Sequence, residues 1–466
     1  DFDDMLVYCY ELLEQRPDIR KMWQQRFPFI LIDEFQDINQ VQYDVVKLLA
    51  QPANNIFIVG DDDQSIYGFR GARPDIMQSF GKEFSPEICK LNVNYRSKGE
   101  IIALAGRVIG HNKNRLDKKI IGTEKDFEPG SAVQVQEFQG MTEQNEKIRE
   151  EILVYRNQGI PYREMAVLFR TNTQPQMLME KLLEYNIPFR MKDNVPNLYE
   201  HWIAKDIIAY MKIAMGSRDI LTYIKVACGN RERGNVMRII NRPKRYVHRN
   251  ALADAYIDLE ELELFYEDKD WMVDRIVNLR ADLGLIADMR PYAAVNFIRR
   301  GVGYDDYIQE YAEYRGIRAG DMYEILDELQ EASKGFKDFE EWFAYIESYG
   351  EELKKQSEKS RQRDNGQPED AVLLMTMHGA KGLEFECVFI PDVNEGVTPY
   401  SKAVLTEDIE EERRMFYVAM TRAKSHLHIY YLKERFSKEV SVSRFVGEML
   451  GAEDAESSRI SLSRKR

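Results

Sequence analysis

Two short apolar runs in this chain each empty into polar side chains that could do chemistry on a nucleotide. Phe29-Ile-Leu-Ile ends in the carboxylate pair Asp33-Glu34, and Ile56-Phe-Ile-Val ends in Gly60 followed by Asp61-Asp-Asp-Gln64-Ser-Ile-Tyr67-Gly-Phe69-Arg70. Short β-branched runs that open onto polar residues read as buried parallel strands whose C-terminal ends carry chemistry. An Asp beside a Glu at such an end suits a Mg2+–nucleotide site, with Asp33 as metal ligand and Glu34 as the base that orients and deprotonates a water. A lone Asp-Glu pair is usually two solvated acids. Here the second loop adds an amide (Gln64), two rings (Tyr67, Phe69) and a guanidinium (Arg70) in one cluster, and the catalytic reading is preferred. Arg96 and Arg422 stand in turn-like or strand-end contexts where a planar guanidinium can grip phosphate in two places. Taken singly, Arg96 would be a surface ion pair, Arg422 a helix-face partner of glutamates near Glu410–Glu412, and Tyr95 a core aromatic.

The elements around these residues follow an α/β rhythm. Leu91–Ser97 begins a new strand and helix, Ala132–Phe138 alternates as a half-buried strand, Glu143–Gln158 reads as an amphipathic helix, and Met165–Phe169 is a buried strand with Arg170 and Asn172 at its end. From about residue 200 to 365 the pattern is almost wholly helical. Gln356–Asp370 is charged and reads as a loop, and strand character returns at Ala371–Met375, Cys387–Ile390 and His426–Tyr431. The expected fold class is therefore α/β, a parallel-sheet protein interrupted by a large all-helical insertion. The expected boundaries are a partial first domain at 1–90, a second domain at 91–190 and 370–452, the helical insertion at 191–369, and a polar tail at 453–466.

Composition sets limits. A chain of 466 residues with 44% hydrophobic content can bury several cores. A net charge of −14 gives no global pull on nucleic acid, so any such site must be a local basic groove. Cys9, Cys89, Cys228 and Cys387 are scattered, with no CxxC pair, which indicates neither zinc nor a disulfide framework. No apolar stretch reaches the length of a membrane span, and the expectation is a cytoplasmic protein with no membrane partner.

Five segments in order carry a resemblance: "DEFQD", "VGDDDQSIYGFRGA", "LNVNYRS", "TMHGAKGLEFECVFI" and "EEERRMFYVAMTRAK". They are similar to the motor motifs of UvrD/Rep/PcrA-type superfamily 1 DNA helicases over nearly the whole chain. The resemblance implies RecA-like motor domains, ATP and Mg2+ as cofactors, and 3′-to-5′ movement on single-stranded DNA and single/double-strand junctions. It makes Gln64 a γ-phosphate sensor, Arg96 and Arg422 arginine fingers, Tyr95 an adenine-stacking ring and Glu384 a ribose ligand, with Arg70 linked to the nucleotide. It assigns Tyr67 and Phe69 to base stacking, with Phe69 where relatives usually carry Trp. Arg170, Asn172, His378 and Lys381 are expected on DNA, and Tyr400 falls where some relatives place a DNA-contacting His.

Two departures stand out. No G-x-x-x-x-G-K-[ST] phosphate loop occurs; Gly81-Lys82 is followed by Glu83 and has Ile76 where the first Gly would stand. The chain is therefore expected to be the larger C-terminal part of a helicase, with an N-terminal motor segment as partner and little activity alone. In the insertion, relatives have "PKRGIG" where this chain has Pro243-Lys-Arg-Tyr-Val-His248, within the basic stretch Arg238–Arg249. Side chains of Lys244, Arg245 and Arg249 are candidate duplex contacts, or else a solvated basic face paired with the acidic helices at Asp258–Asp270. The alternative function is a non-hydrolytic DNA-binding module. A helicase–nuclease is disfavoured, because no nuclease-type pattern of acids and Lys follows the last motif.

Overall fold

The computed structural model describes residues 2–123, 127–192, 197–216, 230–253, 257, 259–362 and 370–451. The chain divides into two compact units, residues 1–194 with 368–466, and residues 195–367.

In the first unit, helices Phe2–Gln15 and Pro17–Arg26 precede strand β1 (Ile30–Ile32), and helix Gln40–Ala50 leads to β2 (Ile56–Ile58). β1 and β2 pair in parallel. Side chains alternate across a strand, so Ile32, Ile56 and Ile58 pack on Phe35, Tyr43, Ile76 and Phe80, while Leu31 and Phe57 face outward and stay exposed. A second short parallel pair joins β3 (Val93–Asn94) to β4 (Ile121–Gly122).

The main sheet contains β5 (Val133–Phe138), β6 (Met165–Phe169), β7 (Phe189–Met191), β8 (Val372–Thr376), β9 (Phe385–Ile390) and β10 (Ala423–Leu432). Their order is β5-β10-β9-β6-β8-β7, and every pairing is parallel. A parallel sheet needs cover on both faces, which is why these strands read as continuous apolar runs. Helices Gly99–Ile109, Thr406–Met420 and Arg444–Leu450 cover one face, where Ile101, Val108, Phe416 and Phe445 share a core with Leu168, Val388, Ile390 and Ile429. Helix Met141–Asn157 covers the other and brings Tyr155 onto His428.

The second unit is built of helices from Trp202–Gly216 to Phe339–Gln362, with no strand among its described residues. Its organising charge is Asp206, fully buried, which accepts hydrogen bonds from Tyr304 Oη (2.7 Å) and Arg242 Nη1 (2.9 Å) and pairs with Arg238. The expected loop from Gln356 is corrected here, because helix Phe339–Gln362 runs through its first part. Glu, Lys, Gln and Arg are good helix formers, and no Gly or Pro interrupts them before Gly366. The rest of that loop at 363–369, and the expected tail from 453, lie outside the described residues. No helix among the described residues is long and apolar enough to cross a membrane.

His428 offers a test of the sheet core. It is buried, bonds Tyr155 Oη through Nε2 (2.8 Å) and Tyr430 Oη through Nδ1 (3.0 Å), and stacks on Phe389. Burial pulls its pKa down to about 3. A group neutral when folded and protonated when unfolded gives stability above its unfolded value, near 6.5, that is lost as pH falls. Between pH 7.5 and 5.5, His428→Gln should lose about 1.4 kcal/mol less stability than the parent in urea titrations. Equal losses would show that His428 does not titrate this way.

Candidate nucleotide and nucleic-acid site

The Asp33-Glu34 end of β1 and the loop after β2 form one hydrogen-bonded assembly. Glu34 has a left-handed backbone (φ 51°), an uncommon conformation for a residue with a side chain. Its amide donates to Asp33 Oδ1 (2.9 Å). Gln36, almost fully buried, donates from Nε2 to Glu34 Oε2 (2.5 Å) and accepts from the Asp61 amide at Oε1 (2.9 Å). Gly60 is required beside it, since a Cβ there would lie 2.6 Å from Gln36 Oε1. Gln64 donates from Nε2 to Asp61 Oδ2 (2.7 Å). Glu34 and Gln64 are thus joined through Gln36 and Asp61.

The three consecutive aspartates could in principle hold a cation. Here the positive charge comes from the protein. Lys118 pairs with Asp61, Asp62 and Asp63, and Arg115 grips Asp63 with two bonds (3.1 and 2.6 Å). Asp62 also accepts the Leu116 amide (2.6 Å). Burial still raises Asp63 above the usual carboxylate range, against the pull of Arg115 and Lys118.

Arg422 and Glu384 immediately precede β10 and β9 and so mark the N-terminal edge of the parallel sheet. Arg422 is 2% exposed, and its guanidinium donates to the carbonyls of Val418 (2.9 Å) and Leu383 (3.2 Å) and to Thr421 Oγ1. Among the described residues, no glutamate of the preceding helix Thr406–Met420 pairs with it. Burial, then the nearby Arg96 charge, lowers its pKa to about 10, with Glu34 and Glu384 acting in the opposite sense. Arg96 donates to Glu384 Oε2 (2.7 Å), Lys424 approaches Glu384 at 3.1 Å, and these two cations hold the Glu384 carboxyl below its ordinary value. The turn carrying Arg96 is fixed by Ser97 Oγ on the Ala423 carbonyl (2.6 Å), which leaves Tyr95 82% exposed. The geometry therefore brings Arg96, Glu384 and Arg422 to one corner that feels the Glu34 charge.

The residues expected on DNA gather elsewhere. Arg170 follows β6 and His378 follows β8, at the C-terminal edge of the sheet. His378 meets Tyr67 (6.4 Å) and Phe69 (5.6 Å), and Phe69 is 68% exposed. Arg70 lies over both rings (5.1 and 5.3 Å), so its guanidinium stands with the aromatic cluster, on the loop that the resemblance expects it to bridge to the nucleotide. Arg170 is gripped by Glu412 and lies over Tyr400, which leaves its charge already matched; Asn172 sits half-exposed in the following turn.

Lys381 departs most from expectation. Its side chain is 7% exposed, and its ammonium holds Asp37 Oδ2 (2.5 Å) and the Gln64 carbonyl (2.8 Å), lies 3.5 Å from Glu34 Oε2, and caps the Tyr67 ring (5.2 Å). It clamps the two strand-end loops together and does not face an open track.

Sequence reading passed over Gln36, Arg115, Lys118, Glu411 and Arg414. Glu411 accepts the Gly68 amide (2.9 Å), and buried Arg414 donates to the Ser65 carbonyl (2.8 Å), so both hold the Gln64–Phe69 loop. The available signal was the basic run Lys113-Asn-Arg-Leu-Asp-Lys118, matching the acid run Asp61–Asp63.

Residues 89–434 match the UvrD-like helicase C-terminal domain, and residues 1–85 match the UvrD/REP helicase N-terminal domain. The chain belongs to the UvrD-like helicase family. A protein named YjcD from Bacillus subtilis (strain 168) is 33% identical over 97% of this chain and 57% of its own length. DNA helicase II of Haemophilus influenzae is 31% identical over 96% of this chain and 62% of its own length. ATP-dependent DNA helicase Rep of Buchnera aphidicola (subspecies Acyrthosiphon pisum) is 30% identical over 93% and 67%. The chain thus spans about three-fifths of the first two relatives.

The acid clasp gives a direct test. Lys118→Ala strips buried Asp62 of its counter-charge and leaves Asp63 with Arg115 alone, a loss of about 3–5 kcal/mol by urea unfolding at pH 8. The stranded acids then hold their protons more tightly when folded, so lowering the pH to 5.5 should recover part of the loss relative to the parent. A variant as stable as the parent at pH 8 would mean that the clasp contributes nothing.

Proposed function

We propose that this chain carries the coupling parts of an ATP-dependent DNA helicase that moves 3′ to 5′ on single-stranded DNA and opens single/double-strand junctions. The observation that carries this reading is the shared loop from Gly60 to Gly71. One end holds Gln64, tied through Asp61 and Gln36 to Glu34, and the other presents Tyr67, Phe69 and Arg70 beside His378. A group that senses phosphate and a surface that stacks bases then move as one piece. The chain's family and its helicase relatives support the same reading.

In this reading Glu34 takes the proton of the attacking water, Gln64 orients that water, and Arg96 and Arg422 stabilise charge developing on the γ-phosphate. Glu384 and exposed Tyr95 take the ribose and the adenine face. Asp33 is an exposed hard oxygen donor with one carboxylate oxygen on the Glu34 amide, a side chain that fits Mg2+. When bound there, the ion would neutralise phosphate charge. Gln64 donates to Asp61 in this structure, so it must turn away from that acceptor to reach a substrate.

These residues include no glycine-rich phosphate loop. We take the loop to come from a further α/β motor segment, and the outward Leu31 and Phe57 of the two-stranded sheet suit such a cover. The missing motif also favours a second reading, DNA binding without turnover by these residues alone. The purified 466-residue polypeptide is expected to bind oligo(dT) and to show almost no DNA-stimulated ATP hydrolysis. Robust stimulated turnover would contradict the need for that loop.

Tyr67→Ala and Phe69→Ala should each weaken oligo(dT) binding by about 1–3 kcal/mol, with little dependence on base sequence. Unchanged affinity across a salt titration would remove the stacking assignment. In a protein that also contains the phosphate loop, Arg96→Ala should slow hydrolysis by about 10³–10⁵-fold. DNA affinity without nucleotide should stay within about twofold, and a rate near the parent's would exclude Arg96 from the reaction.

A further inference from the structure

The helical unit presents a cation–aromatic cluster that the motor chemistry does not use. Tyr246 has a left-handed backbone (φ 61°), a rare state for a bulky side chain, and the residue is 61% exposed. Its neighbours are buried and fastened. Arg245 donates to the carbonyls of Ile239 (3.1 Å) and Ile240 (3.3 Å) and to Tyr210 Oη (3.1 Å), and Val247 exchanges two hydrogen bonds with the Asn241 side chain (2.9 Å each). The loop is thus held rigidly in a strained turn that points one ring at solvent. Arg245 was a candidate duplex contact from sequence, and its burial removes it from that role.

Trp271, itself 50% exposed, meets Tyr246 edge-on at 6.0 Å. The Arg275 guanidinium lies 5.1 Å from each ring centroid. Its Nη1 is buried without a hydrogen-bond partner, and no carboxylate pairs with Arg275 among the described residues. A cation held only by two rings favours an electron-rich planar ligand over a second cation. Arg249, three residues beyond Tyr246, is exposed and can meet a neighbouring phosphate.

We propose that Tyr246, Trp271 and Arg275 form a stacking platform for the exposed face of a DNA base, either unpaired or at the end of a duplex. The proposal rests on the DNA reading of the motor unit. It differs from a phosphate-gripping turn, because the ligand is a π face and the recognising group is a side chain.

The test uses the full chain with oligonucleotides that carry 2-aminopurine in a single-stranded tail or at a blunt duplex end. Tyr246→Gly suits the backbone of this turn, so the variant should melt no lower than the parent while losing the ring. That variant and Trp271→Ala should each lose the fluorescence quench of one probe and bind it about 5- to 150-fold more weakly. Loss with the tail probe assigns an unpaired base, and loss with the blunt probe a terminal pair. If the parent binds DNA and Tyr67→Ala weakens that binding, but both platform variants quench as the parent does, the platform is wrong and the motor reading stands. If the parent binds no DNA, both fall.

Discussion

A buried ammonium must be neutralised where it lies, and much of this structure follows from how that is done for Lys381. Its charge is shared among the Asp37 carboxylate, the Gln64 carbonyl, the approaching Glu34 and the Tyr67 ring. These groups come from the loop after β1 and the loop after β2, while Lys381 comes from the strap between β8 and β9. One side chain therefore fixes three loops at once. Leaving such a charge unpaired costs several kcal/mol, so the loops cannot drift apart independently. Burial raises the Asp37 carboxyl even with Lys381 against it.

The parallel sheet explains why the clamp has something to connect. All six strands run the same way, so the ends that precede β9 and β10 lie opposite the ends that follow β6 and β8. Glu384 and Arg422 fall on the first edge, Arg170 and His378 on the second. The strap from Met377 to Glu384 must travel from one edge to the other, and Lys381 sits midway along it. Helix Thr406–Met420 reinforces the link. Glu410 accepts the Lys113 amide, Glu411 the Gly68 amide, and Glu412 holds Arg170, while Arg413 pairs with Glu448 and Arg414 with the Ser65 carbonyl. Five successive charges reach four different segments, with Glu411 and Arg414 both on the Gly60–Gly71 loop, which a surface helix with self-paired charges would not do.

The strands that position the site were legible because burial on both faces imposes continuous apolar runs. Met165–Phe169 was read to the residue, and the segments at 132–138 and 371–375 to within one. β7 was missed, since Phe189-Arg-Met is a short edge strand with too few apolar residues to signal. Residue types at strand ends singled out Asp33 and Glu34 as candidates, because a carboxylate pair at a strand end is a local signal, while Gln64 and the two arginines became candidates through the ordered motifs. Partners across long sequence separations were not legible. Nothing near Lys381 shows that its charge will meet Asp37, and nothing near Arg70 shows that its guanidinium will lie on Tyr67 and Phe69. Tyr246 adds a related lesson. With glycine lost, side-chain contacts from Lys244, Arg245 and Arg249 were the expectation, yet the anchored neighbours bury Arg245, keep a left-handed turn and point Tyr246 outward.

The central claim is that Lys381 makes the phosphate-sensing and base-stacking ends of the Gly60–Gly71 loop one mechanical body. Backbone hydrogen exchange over residues 61–71 in Lys381→Met tests it most directly. The account predicts faster exchange along the whole segment, from Asp61 through Gly71, with the sheet strands protected as in the parent. Unchanged protection, or a loss confined to the residues touching Lys381, would contradict it.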